Sequence, residues 1–453
     1  MSDSYGQEEG EHSAENLVEV STSHLQIGMF VAELDKPWLE TPFLVQGFEI
    51  RSNSQIQTLI QHCKNVFIIG EGPARHTYER APAPPPKLAT ASSKIKSNGV
   101  TINRGGAKKK KSGGKVSALR RMSERPEYEA KKSVRAEHKA AREVSDAGKV
   151  NIKHIMHSVQ MGQMIDTDIA EDTVSSCVQS IMNNPDAMSW MSKIKDENQY
   201  TAEHCLNVCI LAIAFGRHLR LTQPELQLVG LCGLLHDVGK MQAPQEILDK
   251  PGKLTEEEFR IIQQHTVDGH RLLTETVSDV VHSLAKDVAL NHHERPDGKG
   301  YPRGLEIGIS EFARIISVVD AYDAITSNRC YSRAKSPVQA QKIIFENRGK
   351  QFDEEIALEF IKAVGPYPPG TIVELRNGMV GIVLTGKHKF RHLPTVVVLR
   401  DANKEPMSER TVELHLTDTD DLSKDFLIKK TLTDGEFGIY LKDYKVKSEA
   451  AMF

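Results

Sequence analysis

Between residues 200 and 325 the chain repeats one arrangement, an apolar helical stretch that begins or ends on a histidine or an aspartate. The run Leu231-Cys232-Gly233-Leu234-Leu235 leads into His236-Asp237, Val277, Val281, Leu284 and Val288 lead to His292-His293, and Phe312, Ile315, Ile316 and Val319 lead to Asp320. His204 opens a fourth apolar stretch, residues 206–215. Helices with one apolar side pack as a bundle, and a bundle turns its ligating side chains inward. Two helix starts are written in the chain. Thr222-Gln223-Pro224-Glu225 is a capping box with proline in the first turn. Thr255-Glu256-Glu257-Glu258, with Leu254 placed to staple against Phe259, opens a helix expected to end near His265.

Taken singly, a histidine on such a helix is usually a hydrogen-bonded core residue, and a His-Asp dipeptide is a weak signal. The joint pattern points elsewhere. Burying five histidines and two aspartates (His204, His236, His265, His292, His293, Asp237, Asp320) without compensation costs several kcal/mol. A cluster of cations removes that cost, and mixed imidazole and carboxylate donors suggest metal-assisted hydrolysis. His218, His270 and His282 have no comparable placement and are read as structural.

The rest of the chain sets the frame for this site. With 453 residues, 39% of them hydrophobic, it is long enough for two or three domains. A net charge of −3 gives no global attraction to nucleic acid or an anionic membrane, and no stable nucleic-acid partner is expected. The N-terminus lacks a signal-peptide pattern, and the longest apolar stretches are about half the length of a transmembrane helix. A cytoplasmic protein without a transmembrane segment is expected. The six cysteines show no structural-zinc spacing and read as small buried hydrophobes in a reducing compartment.

Residues 1–19 read as a disordered start and 20–70 as a small α/β module, with strands at 29–32 and 66–69 around a helix at 54–62. Residues 71–125, rich in Pro, Lys and Gly, read as a disordered linker whose Lys108–Lys111 run is a solvated tract. Helical periodicity fills 126–364. From 365 to 453 the pattern changes to a small β-rich domain, with strands at 371–375, 380–384 and 395–399 and Asn377-Gly378 marking a hairpin turn. The fold class is therefore mainly α, a helical bundle flanked by an α/β module and a β-rich domain.

The stretch from Tyr200 to Arg333 resembles the HD-GYP phosphodiesterases of the HD superfamily, which degrade cyclic di-GMP. The match is carried by His204, His236-Asp237 with Gly239-Lys240, Lys250-Pro251-Gly252-Lys253-Leu254-Thr255, Glu258 and His265. It continues through His292-His293-Glu294, Asp297-Gly298-Lys299-Gly300-Tyr301-Pro302, and Asp320 with Tyr322-Asp323-Ala324. Residues up to 70, with Gly28-Met29, Pro37-Trp38-Leu39 and Thr41-Pro42-Phe43, also look like the N-terminal module of one branch of that family.

The resemblance implies an HD-type metal-dependent phosphohydrolase bundle. It implies metal ligation by His204, His236, Asp237, His265, His292, His293 and Asp320, with Asp237 bridging two metals and Lys240 placing its ammonium by the scissile phosphate. Gly300, Tyr301 and Pro302 would wall the substrate pocket, and Arg329, with Arg333 near it, would hold substrate phosphate. Some members have a glutamate at the position of Tyr200 that supports a third metal, so two divalent ions are expected here. Asn198 and Ser332 replace residues common in the family and bear on substrate affinity more than on hydrolysis.

The donor set suits iron or manganese better than magnesium. The implied reaction opens cyclic di-GMP to pGpG, with onward cleavage to GMP left open, through a hydroxide bridging the two metals. Two rivals stand beside it: a catalytically weak cyclic di-GMP receptor or signalling and interaction protein, and an HD phosphohydrolase acting on other nucleotides. Signalling proteins or a second copy of the chain are the protein partners left open.

Overall fold

The computed structural model describes residues 17–35, 48–50, 53–69, 122, 124–125, 127–194, 200–276, 281–328, 334–386 and 391–446. Of the start expected to be disordered, 1–19, residues up to 16 lie outside them, whereas 17–19 belong to a strand paired with residues 65–69. Of the expected linker, 71–125, only 122, 124 and 125 are described, and Arg125 pairs with Glu225; the 37–43 motifs lie outside. Two compact units result, one holding the described residues up to 69 and the other those from 122 onward.

The first unit is a four-stranded antiparallel sheet with one helix. Strands β1 (Leu17–Ser21), β2 (Phe30–Leu34), β3 (Phe48–Glu49) and β4 (Asn65–Ile69) are ordered β1-β4-β2-β3. Helix α1 (Asn53–His62) buries Leu59 fully, and Val20, Val31, Ile50 and Val66 complete the core.

The second unit is built on helices α2 (Val134–Gln160), α3 (Thr167–Asn183), α4 (Pro185–Met191), α5 (Tyr200–His218) and α6 (Gln223–Leu235). From Cys205 to Ile213 every side chain of α5 is buried, as is most of α6. A helix apolar on all sides belongs inside a core, and α2, α3 and α6 all pack on α5. The Thr222 box forms as read: the Glu225 carboxylate accepts from the Thr222 backbone N–H at 2.6 Å and its hydroxyl at 2.8 Å.

After α6 come a 3-10 turn (Val238–Gln242), α7 (Gln245–Leu248), α8 (Glu256–Gln263), α9 (His265–Thr276), α10 (Val281–Asn291) and α11 (Glu311–Ile325). The helix opened by Thr255 ends at Gln263, so His265 begins α9 instead of finishing α8. Helices α12 (Pro337–Glu346) and α13 (Glu354–Val364) close the helical part.

Strands β5 (Ile372–Leu375), β6 (Val380–Thr385), β7 (Thr395–Arg400), β8 (Pro406–Glu413) and β9 (Ile428–Leu432) form an antiparallel sheet ordered β8-β7-β6-β5-β9. Residues 376–379 connect β5 to β6, with Gly378 at φ +84°, a conformation glycine adopts without steric cost. The two-residue period sorts the side chains. Ile372, Val380, Ile382, Leu384 and Val397 join the core of the helices, whereas Val373, Leu375, Val383, Val396 and Val398 form a second cluster on the other face. Helices and sheet thus share one core across residue 365. No described helix is long and apolar enough to cross a membrane.

Candidate metal centre

The seven side chains singled out in the sequence converge. Asp237, His265, His292 and His293 bring one ligand atom each within 4.8 Å of one another, and His204, His236 and Asp320 do the same. His204 comes from the start of α5, His236 and Asp237 from the end of α6, His265 from the first residue of α9, and His292 and His293 from just past α10. Asp320 stands within α11. Glycine makes one of these junctions. A Cβ on Gly239 would lie 2.0 Å from the His265 carbonyl oxygen and 2.4 Å from the Gly269 nitrogen. The turn after Asp237 can press on α9, and bring Asp237 to His265, only without a side chain there.

The hydrogen bonds of the imidazoles decide which nitrogen faces the centre. His236 Nδ1 donates to Gly233 O at 2.8 Å, His265 Nδ1 to Ile262 O at 2.6 Å, and His292 Nδ1 to Val288 O at 3.0 Å. A carbonyl only accepts, so each Nδ1 carries a proton and each Nε2 turns to the centre, where the neutral ring offers a lone pair to a cation. His204 Nδ1 lies 2.8 Å from Asp323 Oδ2, which orients it the same way. The Nε2 atoms of His265 and His292 then meet at 3.4 Å, lone pair to lone pair. His236 Nε2 and Asp237 Oδ1 are buried and make no hydrogen bond of good geometry among the described residues. Acceptors crowded on acceptors in a dry site are costly unless a cation lies among them. The residues present fit divalent metal.

Asp237 divides its oxygens between the two sets. Oδ1 lies 3.2 Å from His265 Nε2 and 3.7 Å from His292 Nε2, while Oδ2 lies 3.2 Å from His236 Nε2 and 3.6 Å from His204 Nε2. Asp320 Oδ1 is 3.0 Å from His204 Nε2. Burial opposes charge on Asp237, but His236 and Lys240 hold its carboxyl well below the usual range. Asp320 is likewise held low against burial by its hydrogen bond and charge pairing with His204. Burial, then the neighbouring His292 and His265, push His293 well below the ordinary histidine value, which keeps its ring neutral.

Lys240 Nζ donates to Asp237 Oδ2 at 2.5 Å, one turn from the carboxylate it follows. Tyr301 leans on His293, ring centroids 4.7 Å apart, and meets Phe259 edge-on at 6.1 Å. Its phenol, raised by burial and by the charges of Asp237 and Asp320, stays protonated. Gly300 has room for hydrogen alone: a Cβ would lie 2.5 Å from Glu294 Cα and 2.6 Å from His293 O. Pro302, next in the loop, is exposed. His204, Lys240, His265, His293, Tyr301 and Asp320 line one cavity of about 2600 Å³. Arg329 and Arg333 lie outside the described residues, as do Asn198, Ser332 and Cys330. Cys63, Cys177, Cys205, Cys209 and Cys232 are buried free thiols.

Two residues of the motif take roles that the sequence alone does not assign. Asp323 holds the His204 ring, and its spacing of three from Asp320, which puts both on one helix face, was the available signal. Glu294, buried, accepts from the Arg303 backbone N–H at 2.6 Å and that of Leu305 at 2.8 Å, which fixes the loop carrying Tyr301. Nothing local in the sequence marks that contact, because its partners lie 9 and 11 residues away.

Fold and site define an HD-domain phosphohydrolase of the metal-dependent kind. The HD domain family matches residues 181–356, and a domain of unknown function (DUF3391) matches 17–170. The chain is similar to the cyclic di-GMP phosphodiesterase PA4108 of Pseudomonas aeruginosa, with 34% identity over 88% of this chain and 89% of that protein. It is also similar to a cyclic di-GMP phosphodiesterase of Thermotoga maritima (36% identity, 39% of this chain, 47% of that one). A third relative is the 3'3'-cGAMP-specific phosphodiesterase 1 of Vibrio cholerae (36% identity, 35% of this chain, 36% of that one). The chain belongs to the HD-GYP family and is a phosphodiesterase.

Proposed function

We propose that this chain hydrolyses cyclic di-GMP to pGpG, with two divalent ions, iron or manganese, held by His204, His236, Asp237, His265, His292, His293 and Asp320. The observation that carries this reading is the division of Asp237, one oxygen toward each set of donors. Two cations there would supply a water nucleophile at neutral pH and polarise the phosphoryl oxygens. The chain's own residues do the rest. Asp237 Oδ2 holds the Lys240 ammonium at the edge of the centre, where negative charge grows as the diester is attacked. Tyr301, half-buried and tilted against His293, lines the cavity and offers a ring face to a guanine base. Gly300 lets the loop backbone lie close enough to put it there.

Protein loaded with manganese or anaerobically with iron is given cyclic di-GMP, and products are separated by chromatography. Accumulation of pGpG supports the reading, and later GMP would mark a second cleavage. Tight binding without product, with both ions shown in place by metal analysis, selects a receptor instead. The similarity to a relative named for 3'3'-cGAMP, at the same 36% identity as one named for cyclic di-GMP, makes that dinucleotide the second substrate to assay.

A further inference from the structure

We propose that Lys153, on α2, holds the second phosphate of the cyclic dinucleotide, the one not at the metal centre. The inference rests on the substrate reading above. Two contacts locate α2 against the centre. Lys149 Nζ lies 2.8 Å from Glu203 Oε1, and Glu203 immediately precedes His204. Ten residues further along, Val159 O accepts from Gln242 Nε2 at 3.5 Å, and Gln242 ends the turn that carries Lys240. At about 1.5 Å per residue these contacts are roughly 15 Å apart. The stretch of α2 between them therefore runs from the side of His204 to the side of Lys240.

Lys153 lies within that stretch, four residues after Lys149 and so on the same helix face. It lines the cavity that His204, Asp320 and Lys240 also line. The two lysines differ in one respect. Lys149 is occupied by Glu203, whereas Lys153 is exposed and makes no side-chain hydrogen bond or ion pair among the described residues. An unpaired ammonium facing a catalytic cavity suits a phosphate oxygen. The ligand chemistry supplies one. A cyclic dinucleotide has two phosphates in a single ring, so binding one at the centre leaves the other in the same cavity. Lys153 and the donors His204, His265 and Asp320 line that same cavity.

The test compares Lys153→Ala and Lys153→Arg with wild type on two substrates, cyclic di-GMP and bis(p-nitrophenyl) phosphate, a diester with no second phosphate. Lys442→Ala, at another lysine lining the cavity, on the segment after β9, serves as a control for loss of a cavity charge. Lys153→Ala is expected to raise KM for cyclic di-GMP about tenfold with kcat within about twofold, and to act on the small diester like wild type. Lys153→Arg restores KM, and Lys442→Ala leaves it in place. An unchanged KM in Lys153→Ala, an equal loss on both substrates, or an equal rise in Lys442→Ala overturns the assignment. Wild type active on the small diester but inert toward cyclic di-GMP overturns the substrate reading first, and Lys153 with it.

Discussion

His204 Nδ1 lies 2.8 Å from Asp323 Oδ2, so the ring of a candidate metal ligand on α5 is held by a carboxylate on α11, one turn beyond Asp320. The Ser327 hydroxyl donates to the Asp323 backbone oxygen at 2.5 Å and lies 3.3 Å from the same carboxylate oxygen, which places Asp323 in a buried polar group and not in solvent. Asp323→Ala frees the His204 ring to flip and is expected to weaken metal binding about 10–100-fold. Asp323→Asn, which keeps one acceptor oxygen, should lose less. Titration of metal-depleted protein with manganese, followed by elemental analysis after desalting, reads both, with circular dichroism confirming the helical content.

Asp237 links the two donor sets, and its removal should act on both. Asp237→Ala is expected to reduce bound metal from about two ions per chain to well under one, whereas His236→Ala should spare the set of His265, His292 and His293. Chelation of the wild type should lower Tm, because ions that bind only the folded state stabilise it in proportion to RT ln(1 + [L]/Kd). A Tm insensitive to both chelator and Asp237→Ala would remove the metal reading.

Lys240 separates catalysis from metal retention. Its ammonium sits on Asp237 Oδ2 but is not itself a metal donor. Lys240→Ala is expected to lower kcat about 100-fold or more, as loss of one fixed charge at a developing oxyanion does, with metal content within about twofold of wild type. Single-turnover measurement with the metal assay on the same preparation checks it.

Gly239→Ala should fail structurally. The added methyl meets backbone atoms of His265 and Gly269, which cannot rotate away as a flexible side chain does. Overpacking of this kind costs about 1–3 kcal/mol, and the strain falls on the junction that positions His265. Reduced Tm together with reduced metal content is expected. The same Tm with full metal content would show that the turn has another way to relax.

Glu225 gives a pH-dependent term far from the centre. Burial raises its pKa, but the hydrogen bond from Arg125, at 2.6 Å, and those from Thr222 bring the net value below the ordinary one. A carboxylate whose folded pKa is depressed contributes stability above its unfolded pKa, about 4.3, and loses it as pH falls through the folded value. Glu225→Gln should therefore cost about 1 kcal/mol at pH 7, discounted for the partly exposed arginine, with the gap to wild type closing below about pH 4. Urea titrations at both pH values measure it.

Much of this was legible in the chain because the signals are local. The Thr222 and Thr255 boxes, the apolar stretches leading to His236, His292 and Asp320, and the Asn377-Gly378 turn each depend on neighbours within about one or two helical turns. β1, β3, β8 and β9 were not read: β3 has two residues, β1 five, and the alternation of β8 and β9 is weak because many of their side chains are exposed or half-buried. His265 was placed at the end of one helix and opens the next, since the break after Gln263 has neither glycine nor proline to announce it. The shared core of helices and sheet was also out of reach. It depends on which face of β5, β6 and β7 meets the bundle, and both faces are equally apolar.

By itself, the sequence determined the inventory: which seven side chains are candidates to ligate metal, that they lie on or at the ends of helices with apolar faces, and which family pattern they follow. Tertiary structure decided the rest. Periodicity says which way a side chain points on its own helix but nothing about the helix it meets. Only packing sets Asp237 Oδ1 toward His265 and Oδ2 toward His236, turns each Nε2 inward by engaging Nδ1, and brings α2 from His204 to Lys240 across the cavity.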